Sequence, residues 1–423
     1  MASQATLTTV NALTKELYQG KIREQLQDEI IGLKRIERSS AGVTSEVGGK
    51  YVTFPIRVGR NAGIGYREED EALQDAGTQS YARVNIGLKY GYGRVKLTGQ
   101  TMDLAESNFQ SFASALDREM SGIKDDLAKY SARIFYGNGT GAWTTATGAA
   151  TGQVIPVADT QPFFGQIGAR LDVIAASANT ADVADVAYDP AASTLNAPLY
   201  GTLTTKNTGA LTLTAVDVAN STITVTGTIG TVANGDLVTR QGNYGREPHG
   251  LASLVGTQKL FNVDPASVPV WQSTVNSNGG TARPLSESLM IKMTDDVRVQ
   301  GGVTSLILTS LGVRRAYFNL LTQQRRYSNT KEFAGGMTGL AFNNGREIPV
   351  VEDVDAPKGK MWFLDESAFT VYRDKDWSWL NQDGGIWKWV TGKDGFEAVI
   401  KQYWQIGIDR RNAQGLLSDV SES

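Results

Sequence analysis

The 423-residue chain contains no cysteine, so neither a disulfide framework nor a thiolate metal site is open to it. It has one histidine, His249 in REPHG, and a Ser-His-Asp triad could use no other. No G-x-S-x-G elbow, HExxH pair, P-loop or kinase signature occurs. No apolar run reaches the ~18 residues of a transmembrane helix. The N-terminal MASQATLTTVNALTKELYQGKIREQ lacks the apolar centre of a signal peptide. These absences predict a chain folded in a cytoplasm, without a membrane. Basic bias is missing too: 41 Lys and Arg face 44 Asp and Glu, for a net charge of -3, unlike a free nucleic-acid binder. The acid pairs Asp125/Asp126 and Asp295/Asp296 fall on helical stretches, where adjacent side chains diverge by about 100° and clamp poorly. The doublets Arg314/Arg315 and Arg325/Arg326 read as solvated faces or partners for acids. With no catalytic, cofactor or metal constellation, a chain long enough for two or three domains reads as structural.

What is present begins with TMDLAESNFQSFASALDREMSGIKDDLAKYSARIFY, residues 101–136. Phe109, Phe112, Ala113, Leu116, Met120, Ile123, Leu127, Tyr130 and Ile134 recur in steps of three and four, the stripe of a helix. Ser107 and Gln110 fit a capping box, and Gly137 supplies a stop. Asp117, Arg118, Lys124, Asp125 and Arg133 fall on the opposite, polar face. Gly122 sits in mid-helix at a cost of about 1 kcal/mol. It reads as a tolerated surface glycine or as the place where another backbone crosses closely.

Before this helix, Leu13, Leu17, Ile22, Leu26, Ile30 and Leu33 make an intermittent stripe in a charged arm that must dock on something. Residues 51–58 and 82–98 alternate as two strands, with Val52, Phe54, Ile56 and Val58 on one face and Val84, Ile86, Leu88 and Tyr90 on another. Between them GRNAGIGYREEDEALQDAGTQS is far longer than a hairpin turn, and a two-stranded ribbon needs a surface to lie on. Glu68, Glu69, Asp70 and Glu71 read as its solvated tip, without the spacing of a calcium loop.

After the helix, GNGTGAW follows the wrong element for a dinucleotide loop and reads as a turn. FFGQIGARLDVIAASA, residues 163–178, is expected to form a short helix. LTLTA, STITVTGT and GDLVTR then predict a small β-barrel or sandwich, inserted where a surface loop tolerates it. Residues 285–300 and 311–321 are helical, and TSLILT, IPVVEDVDAP, GKMWFLD and AFTVYRD are strands of an α/β unit. FEAVIKQYWQIGI alternates in a strand-rich tail, whose tryptophans read as core rather than as a sugar platform.

This order of parts resembles the major capsid protein of tailed bacteriophages, the Hong Kong 97-type fold. The resemblance implies an α+β chain with an N-terminal arm at 1–44, an extended β-loop at 45–97 and a peripheral domain with its spine helix at 98–142. A small β-barrel-like insertion would follow at 143–245, between GNGTG and EPHGLASLV. Residues 246–282 continue the peripheral domain, 283–367 form an axial α/β domain and 368–423 return to the peripheral sheet. It further implies a structural subunit of an icosahedral head shell around double-stranded DNA, assembled from pentamers and hexamers without sequence-specific DNA contacts. In such shells the loop lies over a neighbour, so Ile64, Tyr66, Arg67, Glu68, Glu69, Asp70 and Leu73, with Gly122, are the expected intersubunit contacts. Some relatives carry a long N-terminal scaffolding segment. Here the arm leads almost at once into the loop, which implies a separate scaffolding protein, alongside a portal and a decoration protein. Lys50 and Lys89 flank the loop, but no motif places an Asn or acid opposite them for a crosslink. A cellular nanocompartment shell of the same fold, or a β-rich surface or carbohydrate-binding protein, are the alternatives.

Overall fold

A computed structural model describes residues 30–39, 51–99, 109–176, 205–323, 330–333, 337–343, 345, 347–374, 376–381 and 386–422. Leu13, Leu17, Ile22, Leu26, Lys50, Ser107 and Arg325/Arg326 lie outside the described residues. The chain is a mixed α/β protein with more strand than helix.

The first helix, α1 (Gly32–Ser39), buries Leu33 and Ile36 and ties Arg35 to Glu366 at 2.8 Å. Strands β1 (Tyr51–Gly59) and β2 (Ser80–Gly87) form an antiparallel ribbon from Tyr51↔Gly87 to Gly59↔Ser80. Its base is not bare. Val84 and Ile86 are fully buried in the main core, with Val52, Phe54 and Ile56 packed against that core. The Asn85 amide donates to the Phe261 carbonyl at 3.2 Å. Part of the surface the ribbon needs is therefore its own chain.

The expected strand 82–98 is two strands in different sheets. At Leu88 the chain leaves the ribbon, and β3 (Lys89–Thr98) pairs with residues 395–404, from Lys89↔Trp404 to Thr98↔Gly395. Alternation is the same in both sheets, so it carries no mark of the change. Helix α2 (Phe109–Tyr136) runs 28 residues, ~42 Å at the standard rise. It lies so close over β3 that a Cβ on Gly93 would meet Leu127 at 2.9 Å and Ile123 at 3.1 Å. Its last turn buries Ile134, Phe135 and Tyr136, and the Gly137 amide closes it on Ile134 O at 2.8 Å.

Strands β4 (Ala142–Thr145), β5 (Val154–Pro156), β6 (Arg170–Ile174), β7 (Asn207–Asp217), β8 (Thr222–Ile229) and β9 (Leu237–Arg240) follow in the spatial order β4-β9-β6-β7-β8-β5. All neighbours are antiparallel. An antiparallel bridge Ala146↔Val157 joins the last strand to the first, so the sheet closes on itself and no long edge is left. Ile155, Phe163, Leu171, Val173, Leu211, Leu213, Ile223, Val225 and Val238 fill it. The short helix expected over 163–178 is absent. Gly165 and Gly168 take positive φ (70° and 90°), and Leu171 and Val173 then alternate into the core as strand β6. Residues 177–178 lie outside the described residues.

The remainder contains β10 (Thr274–Asn276), α3 (Glu287–Val299), β11 (Leu306–Thr309), α4 (Leu311–Gln323), β12 (Thr330–Phe333), β13 (Met337–Asn343), β14 (Glu347–Glu352) and β15 (Met361–Leu364). Then come β16 (Phe369–Arg373), β17 (Ser378–Trp379), β18 (Lys388–Trp389), β19 (Gly395–Ile408) and β20 (Gly415–Leu417). A seven-stranded mixed sheet has the order β10-β20-β15-β11-β14-β13-β12. Strands β11 and β15 are buried on both faces. Ile307, Met361 and Phe363 meet α3 and α4, while Leu306, Leu308, Trp362 and Leu364 enter the core with the end of α2. The Ser286 hydroxyl caps α3 by accepting from the Leu289 amide at 3.2 Å. A fourth sheet, centred on β19, takes β16, β17, β18 and β3 as partners.

Candidate subunit interface and the networks behind it

The ribbon loop projects side chains that this chain does not cover. Ile64 is 80% exposed, Tyr66 102% and Leu73 89%. The Glu71 amide donates to Glu68 O at 3.3 Å, Asp70 takes φ 68°, and Arg67 pairs with Glu71 at 3.7 Å, so the acidic run forms a turn at the tip. The seven loop residues singled out from the sequence therefore share one exposed segment. Gly122 sits apart on α2, with nothing within 4 Å of the Cβ it lacks.

Three buried networks hold the scaffold under this loop, and the sequence reading missed all of them. The first ties the barrel root to α2. Arg133, expected on a solvated face, is only 14% exposed and contacts Glu247 at 2.6 Å. Glu247 also accepts from the Tyr130 hydroxyl and, at 3.3 Å, from Asn243 Nδ2. The Arg133 guanidinium stacks 4.6 Å from the Tyr130 ring and donates to Ala142 O at 3.3 Å. Burial alone would lower the Arg133 pKa, but the Glu247 carboxylate and Tyr130 outweigh it and raise it above the ordinary value.

The second network centres on the loop after β14. Asp353 accepts from the Gly32 amide at 2.7 Å and from the Tyr136 hydroxyl at 2.9 Å. Asp355 accepts from Lys129 at 2.8 Å and Gln161 at 3.4 Å. One loop thus joins α1, α2, the barrel and the seven-stranded sheet. Burial, with Asp353 beside it, holds the Tyr136 phenol well above its usual range.

The third network is Arg411, fully buried, whose guanidinium donates to the carbonyls of Ser253, Leu254, Gln258 and Trp271. His249 is tied to the same segment through Ser253. Burial, then Lys89 and Arg411, lower the His249 pKa to about 3, so the ring is neutral. His249 Nδ1 meets Ser253 Oγ at 3.2 Å, and its amide donates to Gln405 at 2.7 Å. The ring packs edge-on against Phe261, as a core residue does.

Residues 210–373, from β7 through the seven-stranded sheet to β16, match the family model described as SU10 major capsid protein. That match covers 164 of the 423 residues, and over it the chain is similar to a tailed-phage major capsid protein. Its fold is similar to that of the Cyanophage A-1(L) capsid asymmetric unit, with TM-score 0.55 and 13% identity, over 97% of this chain and 99% of that one. Weaker likenesses are to a Mycobacterium phage Bobi chain (TM-score 0.47, 10% identity, 100% of both chains) and to the holo-SrpI encapsulin complex from Synechococcus elongatus (TM-score 0.43, 10% identity, 100% of this chain and 98% of that one). Neither of these two carries an argument of its own. No curated protein matches the chain. The matched family points to a structural role, as a phage head-shell subunit.

Proposed function

We propose that this capsid protein tiles an icosahedral head shell around a double-stranded DNA genome, as pentamers and hexamers. The carrying observation is the contrast within one ribbon. Val84 and Ile86 at its base are fully buried, yet Ile64, Tyr66 and Leu73 beyond it are bare. In a shell the bare part covers a neighbour, and modest contacts repeat by symmetry. The parts are then the Hong Kong 97-type arm (1–44), extended loop (45–97), peripheral domain with spine helix α2 (98–142, 246–282 and 368–423), barrel insertion (143–245) and axial domain (283–367). Ile64, Tyr66, Arg67, Glu68, Glu69, Asp70, Leu73 and Gly122 are the proposed contacts. Gly122, open in the subunit, marks where a neighbouring backbone passes close to α2. A separate scaffolding protein, a portal and a decoration protein complete the head, which assembles in the host cytoplasm. No crosslink is included: Lys89 already donates to Gly245 O at 3.2 Å.

Negative-stain microscopy of the purified protein, alone and co-expressed with its scaffolding partner, tests the reading. Closed hollow particles are expected. Dispersed monomers in both preparations count against it.

A further inference from the structure

The base of the ribbon has two faces, and the fold uses one of them. Val84 and Ile86 bury that face in the main core, with Val52, Phe54 and Ile56 packed against it. Alternation sends the residues between them to the other face. There the register sets Thr53 opposite Asn85, Pro55 opposite Arg83 and Arg57 opposite Tyr81. Arg57, Tyr81 and Arg83 are exposed, and so is Arg60 just beyond β1. Among the described residues, Arg57, Arg60 and Arg83 have no ion pair and no hydrogen bond. No acid stands on the face. Asp409 lines the groove beside β1 with Arg57 and Arg60, but it pairs with neither. The whole chain carries a net charge of -3, so this is a local concentration of positive charge.

The make-up of the face favours phosphate over a protein partner. Protein interfaces have an apolar centre, and this face has no large aliphatic side chain. Arg, Thr, Asn and Tyr are residue types that hold nucleic-acid phosphates and sugars. A guanidinium fits two phosphate oxygens at once. Arg57 is diagonal to Arg83 across the ladder, a separation of about 7–8 Å. The two can therefore hold different phosphates of one strand. The Thr53 hydroxyl donates to Asn85 Oδ1 at 3.0 Å, which leaves the Asn85 NH2 without an acceptor. The Tyr81 hydroxyl donates to Gln79 Oε1 at 2.9 Å.

We propose that the outer face of the ribbon base, at Arg57, Tyr81 and Arg83 with Arg60 beside it, binds the phosphodiester backbone of duplex DNA. This rests on the shell reading above, which puts a genome within reach of the subunits, and it names a surface that meets the genome. Three arginines on three phosphates release counterions, so the logarithm of the affinity falls by about 2.7 per decade of salt. At 0.1 M salt each contact is then worth about eight-fold in affinity. The binding is independent of sequence, because every base pair presents the same phosphates.

Fluorescence anisotropy of a labelled mixed-sequence DNA duplex, titrated with the full-length soluble subunit at several salt concentrations, tests this. Arg57→Gln with Arg83→Gln should lower the salt slope by about 1.8 and the affinity about 60-fold at 0.1 M salt. Arg60→Gln alone should lower the slope by about 0.9. Arg170→Gln with Arg298→Gln, which removes two exposed arginines elsewhere, should change neither quantity. Circular dichroism of each variant confirms folding. Variants of the face that bind the duplex as wild type does overturn the proposal, as does a control pair that loses as much. A face variant that binds the duplex normally but no longer assembles marks the face as a protein contact, and it too overturns the proposal. Wild-type subunit that ignores the duplex yet forms closed particles overturns the proposal and leaves the shell reading intact. If wild-type protein neither binds the duplex nor forms particles, both readings fall.

Discussion

Removing either half of the Arg133–Glu247 pair should damage the subunit more than removing both. The two side chains are 14% and 6% exposed and 2.6 Å apart, so each shields the other from an uncompensated buried charge. Glu247→Leu strands a guanidinium whose Nε already lacks a partner, and Arg133→Met strands a carboxylate that keeps only Tyr130 and Asn243. Each single change should cost about 3–5 kcal/mol. The double variant replaces the pair with apolar groups of similar volume and should cost about 1–3 kcal/mol, chiefly from the Tyr130 and Asn243 groups left behind. The coupling is then about 3 kcal/mol or more, which a double-mutant cycle reads directly. Urea unfolding of the four soluble subunits, followed by circular dichroism, supplies the numbers. A double variant as unstable as the sum of the singles would refute the reasoning, because it would mean that the two groups do not depend on each other.

Excising residues 60–79 and joining Gly59 to Ser80, the last ribbon pair, by an Asn-Gly turn should leave a near-normal melt but abolish closed shells. Size-exclusion chromatography with microscopy decides this, and an unfolded monomer would show that the loop packs on its own chain. Arg411→Met should cost about 3–5 kcal/mol by leaving buried carbonyls without a donor. Arg411→Lys should not rescue it, since a point charge cannot span carbonyls from four residues. Thermal denaturation checks both. His249 gives a pH signature. Its folded pKa of about 3 lies below the ordinary 6.5, so below pH 6.5 the unfolded chain takes up the proton first. Stability then falls by about 1.4 kcal/mol per pH unit on this group's account, down to its folded pKa. His249→Gln should flatten that part of the slope, and an unchanged slope counts against a neutral buried ring. The carboxylates of Glu37, Asp355 and Asp409, raised by burial, act with the opposite sign in both proteins and cancel in the comparison.

Periodicity made some of this molecule legible. The α2 stripe, the strands 207–217, 222–229 and 237–240, and the bare loop residues follow from spacing and turn chemistry. Three things did not. The passage from β2 to β3 is invisible because a strand's alternation is the same whichever partner it takes. The stretch 163–178 has apolar spacing that suits a helix, but two glycines at positive φ break it and Leu171 and Val173 settle into a barrel. The networks were hidden because charged residues read as solvated by default. Arg133 shares its helix with truly exposed Lys124 and Asp125, and only the return of residues 243–247 beside α2 buries it. The signal that could have flagged it is the lone acid in REPHG, a charge in a segment otherwise suited to a tight turn.

The single residue between β2 and β3 has a mechanical meaning. With only Leu88 as a joint, tension applied at the loop tip cannot be absorbed by slack chain. It is met first by the anchors at Val84, Ile86 and the Asn85–Phe261 bond and then by the ten pairs from Lys89↔Trp404 to Thr98↔Gly395. In the proposed shell a pull on the loop would therefore reach the subunit core directly, and the ribbon would act as a tie-rod rather than a hinge.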